Sequence, residues 1–178
     1  MPIPLPPETK ILERVKSIIT ALPLKTTFGL DKAVTVRHER HRRTNKEEVP
    51  GVAIRYLETE IDNESGSMHT SSEQCWVLSL ELVVDLGLLP EKSIGAASGD
   101  FIDATGWDRL LGMAHYCAGA LVAMDSPLRT LIDDVEHGDV APDEDSQPDQ
   151  GRLARRVNVL YRTLYDDPLH LLSPEENA

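Results

Sequence analysis

The sequence predicts an α+β fold in which a small, mostly antiparallel four-stranded sheet carries helices on one face. Two periodicities in the 178-residue chain lead to this prediction. Two segments repeat apolar residues every three or four positions, as amphipathic helices do, and four segments alternate apolar and polar residues, as half-buried strands do. Their order is helix, three strands, helices and strand, without an internal repeat, which favours a single domain over residues 1–178.

The N-terminal part of the chain is predicted to contain an arm and one helix. Residues 1–7 include four prolines and are expected to form an extended N-terminal arm, since proline fixes φ and lacks an amide donor. The first helix is predicted from Glu8 to Leu22, and Pro23 ends it. Its apolar face consists of Ile11, Val15, Ile18, Ile19 and Leu22.

Four segments are predicted to be strands. The first three cover residues 33–40, 52–61 and 75–86, and the third is the clearest because every second residue from Trp76 to Leu86 is apolar. The fourth closes the chain and reads "RRVNVLYRTLYDDP" from Arg155 to Pro168. Its odd positions hold Leu153, Val157, Val159, Tyr161 and Tyr165, and its even positions hold Arg156, Asn158 and Arg162. One face of this strand is therefore expected to enter the core and the other to stay in water.

Helical patterns lie between the third and fourth strands. A second helix is predicted through residues 106–124, with an apolar stripe formed by Trp107, Leu110, Leu111, Ala114, Cys117, Ala118, Leu121 and Val122. Ser126 and Pro127 form an N-cap and first-turn pair for a short third helix that reaches about residue 135. Residues 133–150 contain eight acids and neither Lys nor Arg, so residues 136–151 are expected to be a solvated acidic loop insertion.

Composition limits the classes of function. A formal charge of -12 and a pI near 4.8 argue against general DNA binding, which depends on Lys and Arg at phosphates. The two cysteines lack a CxxC spacing and follow no secretory leader, which favours a cytoplasmic, reduced protein with buried thiols. No apolar run approaches the roughly 20 residues that cross a bilayer, so no membrane partner is expected.

Histidines and cysteines that could carry chemistry are better explained by other roles. A metal site at His38 and His41 is disfavoured by the arginines beside them, which oppose a dication. His115 and Cys117 lie two residues apart on a predicted helix and point in different directions, so core packing is favoured over a nucleophile and its base.

Carboxylates and known motifs give no catalytic site either. The acids at positions 100, 103 and 143–145 lack the spacing of a calcium loop, and a solvated charge run explains them better. The chain contains no phosphate-binding glycine motif, nucleophile elbow or HExxH. The sequence therefore predicts neither an enzyme nor a cofactor or metal site.

Five segments together resemble the tail terminator (tail completion) proteins of long-tailed bacteriophages. They are "ILERVKSIITAL", "VPGVAIRYLETEI", "CWVLSLELVVDL", "GWDRLLGMAHYCAGAL" and the closing "VNVLYRTLYDDP", and they cover most of the chain. The resemblance implies a single tail-terminator-like domain that forms a homohexameric ring. Such a ring caps the finished tail tube, ends tube polymerisation and joins the tail to the head.

The resemblance also implies a location and partners. The protein would be assembled in the host cytoplasm and reside in the neck of the virion tail. Its partners would be further copies of itself, the tail tube protein and the head-side connector or stopper protein. Genome DNA would pass through the channel without specific binding, which a negative lumen favours because it does not attract phosphates.

A ring needs two complementary patches on each subunit because its contacts are heterologous. We expect basic side chains near the first strand and on the closing strand to meet acidic side chains of a neighbouring copy. The subunit-interface candidates are Arg37, Arg40, Arg42, Arg43, Lys46, Arg155, Arg156, Arg162, Asp133, Asp134, Asp143, Glu144 and Asp145.

Three other functions stay open from the sequence. Another neck component, such as a head-tail adaptor, would share the ring but contact different neighbours. An acidic inhibitor that mimics DNA would explain the charge and predicts a monomer or dimer. A small hydrolase would need a deep pocket with convergent polar groups.

Overall fold

Six strands form one curled sheet in the computed structural model, which describes residues 5–39, 49–62, 73–88, 107–142 and 150–172. The strands are β1 (Thr35–Glu39), β2 (Gly51–Ile61), β3 (Glu73–Leu88), β4 (Asp134–Pro142), β5 (Gln150–Leu164) and β6 (Leu171–Leu172). Their order is β1-β2-β3-β5-β4, and β6 pairs with the end of β5. The predicted α+β fold with a four-stranded sheet is therefore wrong: the fold is mixed α/β with a six-stranded sheet.

The pairing of β1 makes the sheet mixed rather than wholly antiparallel. β1 runs parallel to β2, whereas the other four pairings are antiparallel. Parallel neighbours need a crossover connection rather than a tight hairpin. The chain between the end of β1 and the start of β2 is long enough to return to the end of the sheet at which β1 begins. Alternation along each strand does not reveal this direction.

β4 lies inside the acidic stretch that was expected to be a loop insertion over residues 136–151. A bulge between His137 and Val140 shifts Val140 out of the alternating pattern that Val135 and His137 begin. The short alternation and the acidic composition together make this strand resemble a loop in the sequence. Residues 143–149, the centre of the predicted insertion, lie outside the described residues.

Among the described residues, three α-helices accompany the sheet: α1 (Pro7–Ala21), the short α2 (Leu24–Thr27) and α3 (Trp107–Val122). The predicted apolar face of α1 is confirmed, since Ile11, Val15, Ile18 and Ile19 are buried. α1 begins at Pro7, a residue suited to the first helical turn, so the last residue of the predicted arm is helical. Residues 1–4 of that arm lie outside the described residues.

The buried face of α3 differs slightly from the predicted stripe. Its buried side chains are Leu110, Met113, Ala114, Cys117, Ala118 and Leu121. Leu111, which was assigned to the stripe, is 38% exposed. After α3, the Ser126 hydroxyl accepts a hydrogen bond from the Leu128 amide at 3.4 Å and caps a 3-10 helix, Pro127–Thr130, in place of a longer third helix.

The main core lies between α1, α3 and one face of the sheet. On that face β3 contributes Leu78, Leu80, Leu82 and Val84, and β5 contributes Leu153, Val157, Val159 and Tyr161. All eight side chains are buried, and burying each one stabilises the fold by roughly 1.5–3 kcal/mol before entropy is counted. The Tyr161 hydroxyl donates to Glu8 Oε1 at 2.9 Å, which ties the start of α1 to β5.

Candidate functional site

The sheet face opposite the helices has a small apolar floor surrounded by charge. Ala53, Val83 and Ala154 form this floor and are buried, on the strand side opposite to Leu82 and Leu153. Their small size leaves room above the floor for longer side chains from the neighbouring positions. Charged residues occupy that room.

Five of these residues form a partly buried ion network. Glu39 Oε2 accepts hydrogen bonds from Arg55 at 3.3 Å and from Arg152 at 3.4 Å. Arg55 also donates to Glu81 at 3.2 Å, and Arg152 Nε lies 3.6 Å from Asp85 Oδ2. Glu39 is 5% exposed, so its charge depends on these arginines for compensation.

Strand register explains most of the network. Glu39 lies opposite Arg55, Arg55 opposite Glu81, and Asp85 opposite Arg152 on neighbouring strands. The contact between Glu39 and Arg152 is different, because β2 and β3 lie between their strands. In a flat sheet those strands would be about 14 Å apart, so this contact depends on the sheet curling. The sequence shows charged residues at alternating positions of these strands but does not show which of them form ion pairs.

Two predicted interface residues, Arg162 and Asp133, meet within one chain. Arg162 Nε and Nη2 donate to the Asp133 carboxylate at 2.9 and 2.8 Å, and Nη1 donates to Glu73 at 2.9 Å. These hydrogen bonds, above all those to Asp133, raise the pKa of the Arg162 guanidinium further above its usual range despite partial burial. Arg162 therefore fastens the start of β3 and the entry to β4 onto β5.

The other described candidates lie apart from one another. Asp134 accepts from Arg129 at 2.7 Å, and Arg129 also donates to the Val122 carbonyl at the end of α3. Arg37 Nη2 lies 4.0 Å from Glu39 Oε1 at the margin of the ion network. Arg156 is exposed on β5.

Seven further candidates lie outside the described residues: Arg40, Arg42, Arg43, Lys46, Asp143, Glu144 and Asp145. An interface role for any of the thirteen residues stays a prediction.

Arg155 has an environment that was not expected. It stands at an odd position of β5, opposite Leu82, and so faces the core side of the sheet rather than the side of Arg156. It is 8% exposed, and its Nη1 donates to His115 Nδ1 on α3 at 2.8 Å. The odd-even alternation of the closing strand, applied to residue 155, predicts this core-facing side chain.

His137 belongs to the same basic cluster. Partial burial, Arg155 and His115 together lower the pKa of His137 from its usual 6.5, because each disfavours the imidazolium form. The guanidinium of Arg155 therefore places a positive charge between α3 and the β4–β5 pair, with His115 and His137 beside it.

An apolar groove opens beside this cluster. It has a volume of about 580 Å³ and is lined by Leu22, Phe28, Gly112, His115, Tyr116, Gly119 and Ala120. Phe28 and Tyr116 meet edge to face, with ring centroids 5.7 Å apart. The small residues of α3 keep the groove open, since a Cβ added at Gly119 would meet nothing within 4 Å. We call this feature the α3 groove.

The cysteine and metal interpretations can be compared with the structure. Of the two thiols that were expected to be buried, Cys117 is fully buried and Cys75 is only partly buried. Burial raises the pKa of the Cys117 thiol to about 12. His38 pairs with Glu13 across 3.2 Å, and His41 lies outside the described residues. Within the described ranges, no three His, Cys, Asp or Glu side chains are grouped as metal ligands would be.

Comparison of the chain with models of protein families and with curated proteins finds no match. In the described part of the chain, no helix has both the length and the apolar character that a membrane crossing requires.

Proposed function

We propose that the chain is a structural subunit of a bacteriophage tail. Copies of it form a ring that caps the tail tube, ends tube polymerisation and joins the tail to the head connector around a channel for DNA. The resemblance of five sequence segments to tail terminator proteins motivates the assignment. The observation that best supports a ring is the group of exposed acids on the outer strand β4, together with the basic sequence that follows the other outer strand, β1.

The two edges belong to β1 and β4, the outer strands of the order β1-β2-β3-β5-β4. β4 presents three exposed acids, Asp134, Glu136 and Asp139. β1 leads directly into a basic segment of the sequence that contains Arg40, Arg42, Arg43 and Lys46. A closed ring requires two different complementary surfaces on each copy, and opposite charges associated with the two edges meet that requirement.

β4 is suited to a contact through side chains rather than to continuation of the sheet. Its bulge and its exposed acids are features that discourage another strand from pairing with an edge. The proposed contact is therefore led by charge and should weaken as salt rises. The net charge of -12 would also limit adhesion of DNA that passes through the ring.

Light scattering of the purified protein at low and moderate salt, with and without tail tube protein, tests the proposal. We expect either a closed ring from the outset or a monomer that assembles on tube ends. A ring that ignores tubes would favour another neck component. A stable monomer that is indifferent to tubes at both salt concentrations would overturn the proposal.

A further inference from the structure

The buried guanidinium of Arg155 lacks a counter-charge in the described part of the chain. Its one hydrogen bond is to His115, and its Nε is buried without a partner. A buried cation without an anionic partner costs several kcal/mol, because the protein interior replaces its hydration poorly. The other buried arginine, Arg152, has both Glu39 and Asp85 beside it. Among the described residues, Arg155 therefore differs from Arg152 in having no acidic side chain beside it.

His115 connects this charge to the α3 groove. It contacts Arg155 and is also part of the groove lining, where its neighbours are Leu22 after α1, Phe28 after α2 and small or aromatic residues of α3. A ligand in the groove would meet apolar surface along its body and positive potential at one end. On the β4 side, burial lowers the pKa of His137, and the charge of Arg155 lowers it further.

We propose that the α3 groove and Arg155 bind a protein segment in which an apolar side chain stands next to a carboxylate. A carboxylate matches the charge and the forked donors of one arginine. The open groove would leave much of a small molecule in water, whereas small-molecule sites usually bury most of their ligand. A peptide segment can cover the groove along its length. This inference is independent of the proposed ring.

Two blocked dipeptides provide the probe: acetyl-Phe-Glu-amide and its neutral counterpart acetyl-Phe-Gln-amide. Each is titrated into the full chain while the imidazole NMR signals of His115 and His137 are followed. We expect the Glu peptide to bind about tenfold more tightly than the Gln peptide. It should also raise the pH at which His137 titrates, because the carboxylate offsets the charge of Arg155.

Variants locate the interaction. Arg155→Gln should remove the preference for the Glu peptide, whereas Arg156→Gln, at the next position on the opposite face, should retain it. If Arg155→Gln does not fold, Gly119→Leu still tests the site, because it fills the groove from a position with free space. Gly119→Leu should abolish binding of both peptides.

Three results would overturn the proposal. The first is that the two peptides bind the unaltered chain with equal affinity. The second is that neither peptide binds the unaltered chain. The third is that Gly119→Leu binds the peptides as the unaltered chain does. Self-association of the unaltered chain that Gly119→Leu removes, together with the Glu preference, would identify a second copy as the source of the segment.

Discussion

Glu39 shows at the scale of one residue how this sheet tolerates buried charge. The side chain belongs to a short outer strand, yet it accepts hydrogen bonds from arginines on β2 and β5. Leaving those arginines without their shared carboxylate would cost more than an exposed ion pair contributes, because water cannot fully replace the lost partner.

Glu39→Gln is therefore expected to lower the free energy of unfolding by about 1–3 kcal/mol, although the side chain keeps its size and Glu81 and Asp85 remain beside the two arginines. Urea denaturation measures the change, and Glu58→Gln, an exposed position on β2, serves as the control with little effect. A loss below about 1 kcal/mol at Glu39 would mean that the network behaves as a solvated surface pair.

His137 gives the chain a pH dependence of known sign. Its pKa in the folded state lies below 6.5, so between that lower pKa and about 6.5 the unfolded chain binds more protons than the folded one. Its contribution to stability is fully present above about pH 6.5 and is lost as the pH falls through that window. We expect His137→Gln to lose less stability on acidification than the unaltered chain, measured by urea unfolding between about pH 5 and 8. Parallel curves would contradict the assignment.

At the scale of the element, β4 depends on a close approach at its bulge. A Cβ added to Gly138 would lie 2.8 Å from Arg156 Cβ, 3.0 Å from its Cγ and 3.2 Å from its carbonyl oxygen. A side chain at position 138 would therefore require β4 or Arg156 to shift. α3 provides a contrast, because Gly119 has free space around it.

Gly138→Ala is expected to destabilise the fold by about 1–3 kcal/mol, since β4 or Arg156 must move. Gly119→Ala is the matched control and should stabilise the fold by about 0.5–1 kcal/mol, because alanine has a higher helix propensity than glycine. Thermal and urea unfolding of both variants measure these changes. Equal effects at the two positions would show that the bulge is less crowded than the structure indicates.

At the scale of the whole molecule, the outer strand β4 carries exposed acids, and the other outer strand, β1, is followed in the sequence by basic residues. Arg162 and Asp133 are already joined within one chain, which leaves the exposed acids of β4 and the basic segment after β1 as the better candidates for contacts between copies. Charge complementarity of this kind sets orientation and the rate of association more than final affinity.

Reversing the charges on one of the two proposed contact surfaces should weaken assembly, and reversing the charges on both should restore it. Arg42→Glu with Arg43→Glu, or Glu136→Lys with Asp139→Lys, should each reduce the ring fraction in light scattering, most strongly at low salt. The combination of all four changes should recover much of it. Arg14→Glu, exposed on α1, is the control. Unchanged assembly after either reversal would exclude these edges as the contact.

The sequence alone determined the elements whose buried face follows local periodicity. The core side of α1, the strands β2, β3 and β5, the Ser126 cap and the burial of Cys117 were all readable from spacing, because spacing reports which side of an element leaves water. The tertiary structure alone decided that β1 is parallel, that a bulged acidic segment is β4, and that Glu39 meets Arg152. It also decided that Arg162 binds Asp133 in its own chain, while Arg155 faces His115. These depend on strand order, sheet curvature and contacts between distant residues, which local periodicity does not encode.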